Sequence, residues 1–182
     1  MLATVYRLTE GEYQQILSEG YRAIDQIIQH LSDDRALVLN QHWELVSFMI
    51  TSLPPVPHYL LGQEEVPEDE ALLGGEPTTW PDAAAPARII APARVHEIAA
   101  ELSEIPSKIE AYREGFVDFW DDVQDGEYGY FDPSIDTPEA YLELLEPKLI
   151  DLIKLYQDAS QASDAIFIYA QRSVDLAAEH LE

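Results

Sequence analysis

AIFIYA, residues 165–170, is the stretch that decides the fold, because it is the clearest strand in the sequence. It consists largely of β-branched and aromatic residues, which favour extended backbone. Two further segments predict strands: MLATVYRL at residues 1–8, where side chains can be covered on both faces, and RIIA at residues 88–91. Amphipathic helices separate the three. We therefore expect an α+β fold, in which a small, mostly antiparallel sheet is packed by several amphipathic helices.

Caps and apolar spacing predict the helices. Thr9 and Glu12 form a capping box at the start of a helix that Gly20 ends. TPE at residues 137–139 is a second strong helix start, with a cap, a first-position proline and an early acid. Apolar residues at three- and four-residue steps predict another helix over residues 107–123.

The local structure is less regular at three other places. LVL at residues 37–39 fits a short strand, or the lead-in to a largely apolar helix that Asn40 caps. One helical turn is expected at residues 71–73. Pro147 lacks the amide N–H that a helix interior needs, so the surrounding helix should bend or restart there.

We expect a single domain over residues 1–170. A chain of 182 residues suits one core, and neither flank of the central stretch looks complete by itself. Prolines and acids are dense over residues 54–87, which predicts a long irregular loop. Residues 171–182 form a tail whose apolar residues have helical spacing.

The charge of the chain is its most unusual bulk property. Acidic residues number 35 and basic residues 10, which gives a net charge of −25, and there is no cysteine. Such a surface repels nucleic acid and anionic membranes, and it attracts cations or a basic protein. Adaptation to a salty cytoplasm is the alternative explanation and needs no partner.

Without a membrane-length apolar run or a signal-peptide pattern, we expect a cytoplasmic protein that binds neither membrane nor nucleic acid.

Four segments, in this order, resemble the YfbM-like family of uncharacterised bacterial proteins. They are NQHWELVSFMIT (40–51), LLGGE (72–76), RIIAPARV (88–95) and the stretch over residues 149–169. The family usually has glycine after the threonine that ends the first segment, whereas Ser52 stands here. The resemblance implies a compact α+β fold, and it implies no activity.

A first candidate site is a cleft for a small ligand or cation, formed by Trp43, Gly74, Gly75, Glu76 and Trp80. The glycine N–H groups can hold a ligand beside the carboxylate of Glu76, although paired glycines more often permit a tight turn. Trp43 lies on an apolar helix and is more often a core residue. Trp80, in the Pro-rich loop, is either a partner anchor or a lid on the core.

A second candidate is a cation site on three aspartates. Asp121, Asp125 and Asp132 occupy the first, fifth and twelfth positions of a calcium-loop pattern, and calcium needs several oxygen ligands. Val123, at the third position, offers only its backbone, and the twelfth position carries aspartate in place of glutamate. A plain solvated turn is therefore the alternative.

A third candidate is an acidic surface that binds a basic partner. Its residues are Glu64, Glu65, Glu68, Asp69 and Glu70. The sequence contains no phosphate loop, dinucleotide fingerprint or nucleophile elbow, so we assign no catalytic residue and no cofactor. The favoured function is an acidic protein-interaction module, of the inhibitor or immunity type, that masks a basic protein. The alternative is a small-ligand or cation-binding protein, or an enzyme, that uses the cleft at Trp43.

Overall fold

The computed structural model describes residues 2–51, 70–78, 87–125 and 131–171. Within those residues, one antiparallel sheet contains β1 (Leu2–Leu8), β2 (Ala36–Asn40), β3 (Glu76–Pro77), β4 (Arg88–Ile90) and β5 (Ala165–Gln171). The order across the sheet is β2-β1-β5-β4-β3, so the stretch that predicts the clearest strand lies at its centre. The predicted α+β class and antiparallel sheet are confirmed.

Helices occupy the connections between the strands. In chain order they are α1 (Glu10–Glu19), α2 (Tyr21–His30), α3 (Trp43–Thr51), α4 (Glu70–Leu73), α5 (Pro92–Leu102), α6 (Ile109–Asp118), α7 (Trp120–Gln124) and α8 (Pro138–Ala162). Short 3₁₀ turns at Asp33–Arg35 and Ile105–Lys108 precede β2 and α6. In the described part of the chain, no helix is both long enough and apolar enough to cross a membrane.

Both faces of the sheet are buried, as the pattern of β1 predicts. On one face, Val5 and Ile166 belong to the larger core, which includes side chains of α3, α5, α6 and α8. On the other face, Leu8 and Phe167 pack with side chains of α1 and α2 in a smaller core. Full burial of a side chain such as Phe167 contributes about 1.5–3 kcal/mol, so the central strand holds both layers together.

The capping box of α1 is confirmed, and it also fixes the turn before β2. Thr9 N–H donates to the carboxylate of Glu12 at 2.7 Å, and Glu12 N–H donates to the hydroxyl of Thr9 at 3.3 Å. The same carboxylate binds the guanidinium of Arg35. Arg35 also donates to the carbonyl of Arg7 through Nε, at 3.1 Å, and Nη2, at 2.8 Å. These bonds tie the Asp33–Arg35 turn to β1 and α1.

One open alternative is settled, and two local predictions need correction. Residues 37–39 belong to a strand, as one of the two alternatives had it, and Asn40 takes φ = 53° at the end of β2 and caps no helix. The helix over residues 107–123 is interrupted at Phe119, whose φ of −100° and ψ of 15° separate α6 from α7. The helix does not restart at Pro147, since α8 continues through this residue. Buried residues before and after Pro147 pack against the core and hold the helix in place.

The predicted loop over residues 54–87 contains more regular structure than expected. Residues 71–73 form the expected helical turn within α4. Glu76 and Pro77 then pair with β4, opposite Ile89 and Arg88. Of this stretch, residues 54–69 and 79–86 lie outside the described residues, as does the tail from residue 172 onward.

Candidate functional site

An open acidic hollow lies beside β2. Its volume is about 190 Å³. We call its lining residues the acidic hollow: Asp33, Asp34, Ala36, Leu37, Asp151, Lys154, Leu155 and Asp158. The hollow therefore lies between the 3₁₀ turn before β2, the start of β2 and the middle of α8.

Helical spacing places one wall of the hollow. Asp151, Leu155 and Asp158 follow one another at steps of four and three residues, so they share one face of α8. Leu149 and Leu152 are fully buried in the larger core. One helix thus packs its apolar stripe into the protein and presents the aspartates beside β2.

The 3₁₀ turn before β2 forms the opposite wall of the hollow. Arg35 reaches back to Glu12 and to the carbonyl of Arg7, as described above. Asp33 and Asp34, in the same turn, line the hollow without a described ion pair to Arg35. The anchored arginine therefore holds the turn, and the two carboxylates remain at the surface.

The hollow carries a formal charge of −3, since four aspartates and one lysine line it. Lys154 forms an ion pair with Asp158 one helical turn away, and both groups are partly exposed. A surface pair of this kind contributes about 0–1 kcal/mol. Hydrogen bonding from the Ser32 side chain keeps the pKa of Asp34 below its ordinary value, so this carboxylate is ionised at neutral pH. Arg7 and Arg35 also favour the ionised form of Asp34, so part of this charge is offset, and the negative charge that remains can attract a cationic group.

The first predicted site, the ligand cleft, is largely closed where the structure describes it. Trp43 is 6% exposed and belongs to the larger core. Gly75 has φ = +86°, and a Cβ atom there would lie 2.6 Å from the carbonyl oxygen of Ile89. Gly74 is buried, whereas Glu76 is exposed on β3. The paired glycines therefore form a tight turn that packs directly on β4.

The other residues of the first and third candidate sites are mostly outside the described structure. Trp80 of the cleft is among them, as are Glu64, Glu65, Glu68 and Asp69. Glu70 begins α4, and only its backbone is described. Partner binding by these five acids remains a prediction.

The second predicted site, on the three aspartates, is not gathered into a metal site. Asp121 lies in α7, and Asp125 follows its end. Asp132 already accepts hydrogen bonds from the backbone N–H and hydroxyl of Ser134, at 2.9 and 2.7 Å. In the described ranges, no three histidine or acidic side chains come together closely enough to hold a metal ion. Asp132 instead stabilises the turn that precedes α8.

Sequence analysis alone does not identify the acidic hollow. Residues 32–34 predict only a turn, although the seven-residue spacing of Asp151 and Asp158 shows that both lie on one face of a helix. Their approach to Asp33 and Asp34 depends on how α8 crosses β2, and no local pattern encodes that contact. The sequence therefore indicates that the α8 aspartates share one face, but it does not indicate that this face lies opposite Asp33 and Asp34.

Comparison with known proteins identifies the family. The sequence model of a domain of unknown function, DUF1877, matches residues 1–169. The chain belongs to this family. The DUF1877 match spans β1 through most of β5, so it includes both walls of the acidic hollow.

The fold of this DUF1877 protein is similar to a solved structure. That structure is YfbM, a protein of unknown function from Escherichia coli. The TM-score is 0.64 and the sequence identity 16%, over 92% of this chain and 98% of that chain. At this identity the likeness shows the fold alone, and together with the family model it supports the expected membership of a YfbM-like family. No sequence among the curated proteins matches the chain.

Proposed function

We propose that this chain is a cytoplasmic protein-interaction module that binds a basic protein, in the manner of an inhibitor or immunity-type protein. The acidic hollow is the observation that carries the proposal, because four aspartates and one lysine line an open surface beside β2. The net charge of −25 would attract a basic partner from a distance. Leu37 and Leu155 offer an apolar floor against which the stem of a lysine or arginine side chain would pack.

The proposal has a quantitative consequence for affinity. An exposed ion pair contributes about 0.2–1 kcal/mol, so four aspartates together would contribute roughly 1–4 kcal/mol, or between about fivefold and several hundredfold in Kd. Salt would weaken this binding, since the screening length falls to about 8 Å at physiological ionic strength. A contact of this kind is therefore strong at low salt and weak at high salt.

The test compares two variants with the same net charge. The hollow variant carries Asp33→Asn, Asp34→Asn, Asp151→Asn and Asp158→Asn. Four neutralised carboxylates raise the formal charge by four, from −25 to −21. Asparagine nearly preserves the shape of aspartate, and circular dichroism checks that the variant remains folded.

The remote variant is its matched control. It carries Glu101→Gln, Glu104→Gln, Glu114→Gln and Asp118→Asn, all at exposed positions that do not line the hollow. It also has a formal charge of −21. Wild type and both variants are immobilised and exposed to host lysate at low and high salt, and each retained protein is purified for a direct Kd measurement.

The expected partner is a basic protein that binds wild type and the remote variant, loses at least about fivefold in affinity for the hollow variant, and dissociates at high salt. Equal weakening of both variants would mean that net charge, and not the hollow, attracts the partner. Affinity that does not change with salt would contradict charge masking. The salt-adaptation explanation predicts no specific partner under either condition.

The second candidate function is a small-ligand or cation site that involves Trp43, Glu76 and Trp80, with or without catalysis. One observation favours the small-ligand form of this candidate over the cation form. The indole N–H of Trp43 is buried and donates to no acceptor in the described structure. A ligand acceptor at this donor would offset a cost of about 1–3 kcal/mol for an unmade hydrogen bond.

Tryptophan fluorescence tests this second function. The chain has three tryptophans, so Trp120→Phe leaves only Trp43 and Trp80, the two that belong to the candidate site. Metal ions and metabolites are screened for a shift in the emission of these two indoles and for a rise in Tm. A ligand that changes both supports the site. A full screen in which neither quantity changes removes the candidate.

A further inference from the structure

We propose that the basic partner binds as an extended segment that adds a strand to the edge of β2 that no described strand covers, with its basic side chains over the acidic hollow and its apolar side chains over Val38. This inference rests on the proposed function and adds its binding mode. Edge addition supplies affinity through main-chain hydrogen bonds and specificity through alternating side chains. The proposal combines three features of one place in the fold: a free strand edge, an exposed valine and a negative hollow.

The two ends of the sheet differ in their capacity to accept a strand. β2 is the outermost strand at one end, and β1 is the only described strand that pairs with it. It has five residues and contains no proline, and its pairing with β1 shifts register at Leu39, so the regular part of the edge is residues 36–38. β3 ends the other side of the sheet with two residues, and one of them is Pro77, which has no N–H to donate. Natural proteins commonly protect an edge with a very short strand or a proline, as at β3, or with a bulge, as at Leu39 of β2. Residues 36–38 of β2 remain regular and free of proline, so strand addition is favoured there over β3.

Side chains of β2 alternate between two surroundings. Leu37 lines the acidic hollow, and Leu39 is buried in the larger core on the same side of the sheet. Val38 points to the opposite side and is 52% exposed. A strand added along β2 alternates in the same way. Its side chains on the Leu37 side meet carboxylates, and those on the other side meet Val38. The chemistry of the site therefore selects a segment in which basic and β-branched residues alternate.

The dimensions of the hollow suit such a segment. Asp151 and Asp158 are seven residues apart on α8, which corresponds to about 10.5 Å along the helix axis. Side chains on one side of a strand repeat every ~7 Å. Two successive basic side chains are thus spaced closely enough for each to reach one of these aspartates, while Asp33 and Asp34 border the start of β2.

A second copy of this chain is a less suitable occupant. Each copy has a net charge of −25, so two copies repel one another. Edge pairing of two β2 strands would also bring two acidic hollows close together. Charge complementarity therefore favours a basic partner over self-association, and the oligomeric state of the free protein checks this choice.

The test uses the full chain and four synthetic hexapeptides with capped ends. Six residues span the five of β2. The first peptide alternates lysine and valine, Lys-Val-Lys-Val-Lys-Val. The second has the same composition in two blocks, Lys-Lys-Lys-Val-Val-Val. The third and fourth repeat the alternating sequence with a methyl group on the backbone amide nitrogen. In the third every lysine residue is methylated there, and in the fourth every valine residue. All four carry the same side-chain charge, and their Kd values are measured by fluorescence anisotropy at low and high salt.

Strand addition predicts an asymmetric result. Amides of one residue set face β2 and those of the other set face solvent, so one methylated peptide should bind at least about tenfold more weakly while the other binds like the parent. The block peptide should also bind about tenfold more weakly, because its lysines cannot all lie on the hollow side. All binding should weaken at high salt.

Other outcomes separate this inference from the proposed function. Equal, salt-dependent affinity for all four peptides overturns strand addition and leaves binding by charge intact. No binding at low salt overturns strand addition, and the lysate experiment then decides the proposed function independently. A free chain that is a dimer, and that only becomes monomeric when the alternating peptide is added, would place a second copy on β2 and overturn the proposed occupant.

A pair of valine and leucine variants tests the apolar side of the contact. Val38→Ala should weaken the alternating peptide severalfold, because it removes apolar surface from the free edge. Leu17→Ala is the control, since Leu17 is exposed to a similar extent, 58%, but lies on α1. Equal affinity of both variants for the peptide would contradict a contact over Val38.

Discussion

The two edge strands of the sheet, β3 and β2, differ in how readily each could pair with another strand. At the β3 edge, the chain turns at Gly75 in van der Waals contact with β4, and Arg88 donates to the carbonyl of Gly75 at 2.8 Å. Pro77 then leaves that edge short of a donor. At the β2 edge, a five-residue strand borders an open hollow of charge −3, with Val38 exposed on its other side. We call the first the closed edge, because its strand is short, contains a proline and follows a tight turn against β4, whereas the second borders the acidic hollow.

This difference bears on the proposed function. Local features that conflict with stable folding tend to occur at functional sites. Under the proposed function, the acidic hollow beside the β2 edge is such a place, and a basic segment bound there would neutralise part of its charge. The Gly75 turn shows the reverse, because every feature described there favours the folded chain. Three predictions follow from this contrast, in order of decreasing effect.

The largest effect is expected at the closed edge. Gly75→Ala should lower the free energy of unfolding by roughly 2–6 kcal/mol, because the substitution adds backbone strain and a clash with β4. The new Cβ would lie 2.6 Å from the carbonyl oxygen of Ile89 and 2.7 Å from Cγ1 of Ile90. Urea denaturation followed by circular dichroism measures the change.

Gly20→Ala is the matched control. Gly20 has a similar φ of +71°, but a Cβ there meets no atom within 4 Å. Its cost should be the backbone strain alone, about 1–3 kcal/mol. If the two variants were equally unstable, the close contact between Gly75 and β4 would have no energetic importance, and the closed edge would not differ from an ordinary turn.

A smaller effect is expected where the wall of the hollow is anchored. Glu12→Gln keeps a side chain able to complete the capping box but removes the charge that binds Arg35. The loss should be about 0.5–1 kcal/mol at pH 7, because the ion pair is partly exposed. Glu10→Gln is the control in the same helical turn, since the described ion pair of Arg35 is with Glu12.

The pH dependence of this loss has a definite sign. Burial opposes ionisation of Glu12, but hydrogen bonds from Arg35 and Thr9 outweigh it and lower its pKa below the ordinary 4.5. A lowered carboxyl pKa contributes stability that is complete above about pH 4.5 and is lost as pH falls through the folded-state pKa. The difference between wild type and Glu12→Gln should therefore disappear in acid. A difference that stays constant down to pH 3 would contradict the ion pair.

The same contrast explains which features the sequence could predict. Strands, caps and the buried helical stripe depend on residues close together in the chain, and the Thr9 capping box and the central strand agree with that expectation. β3 was not predicted, because its two residues are extended only by pairing with β4. The hollow requires α8 to lie beside β2, which is a contact between residues more than 100 positions apart. The position of Trp43 in the core agrees with its apolar helix, whereas its unpaired indole N–H depends on the packing around it.

The smallest effect on stability is expected in the hollow itself. The hollow variant, with its four aspartates neutralised, should unfold at nearly the same temperature as wild type. Relief of negative charge is offset by loss of the Lys154–Asp158 ion pair and of the hydrogen bond from Ser32 to Asp34. The remote variant should also unfold close to wild type, and thermal unfolding at low and high salt measures both. A large loss of stability in the hollow variant alone would show that these aspartates serve the fold.

Nuclear magnetic resonance of the ¹⁵N-labelled chain, titrated with the alternating lysine–valine peptide at low salt, tests the central claim most directly. The account predicts that amide shift changes concentrate at residues 33–40 and 151–158, the two walls of the acidic hollow and the strand between them, and that they are abolished in the hollow variant. Shift changes spread evenly over the acidic surface, or centred on residues 70–78 at the closed edge, would contradict it.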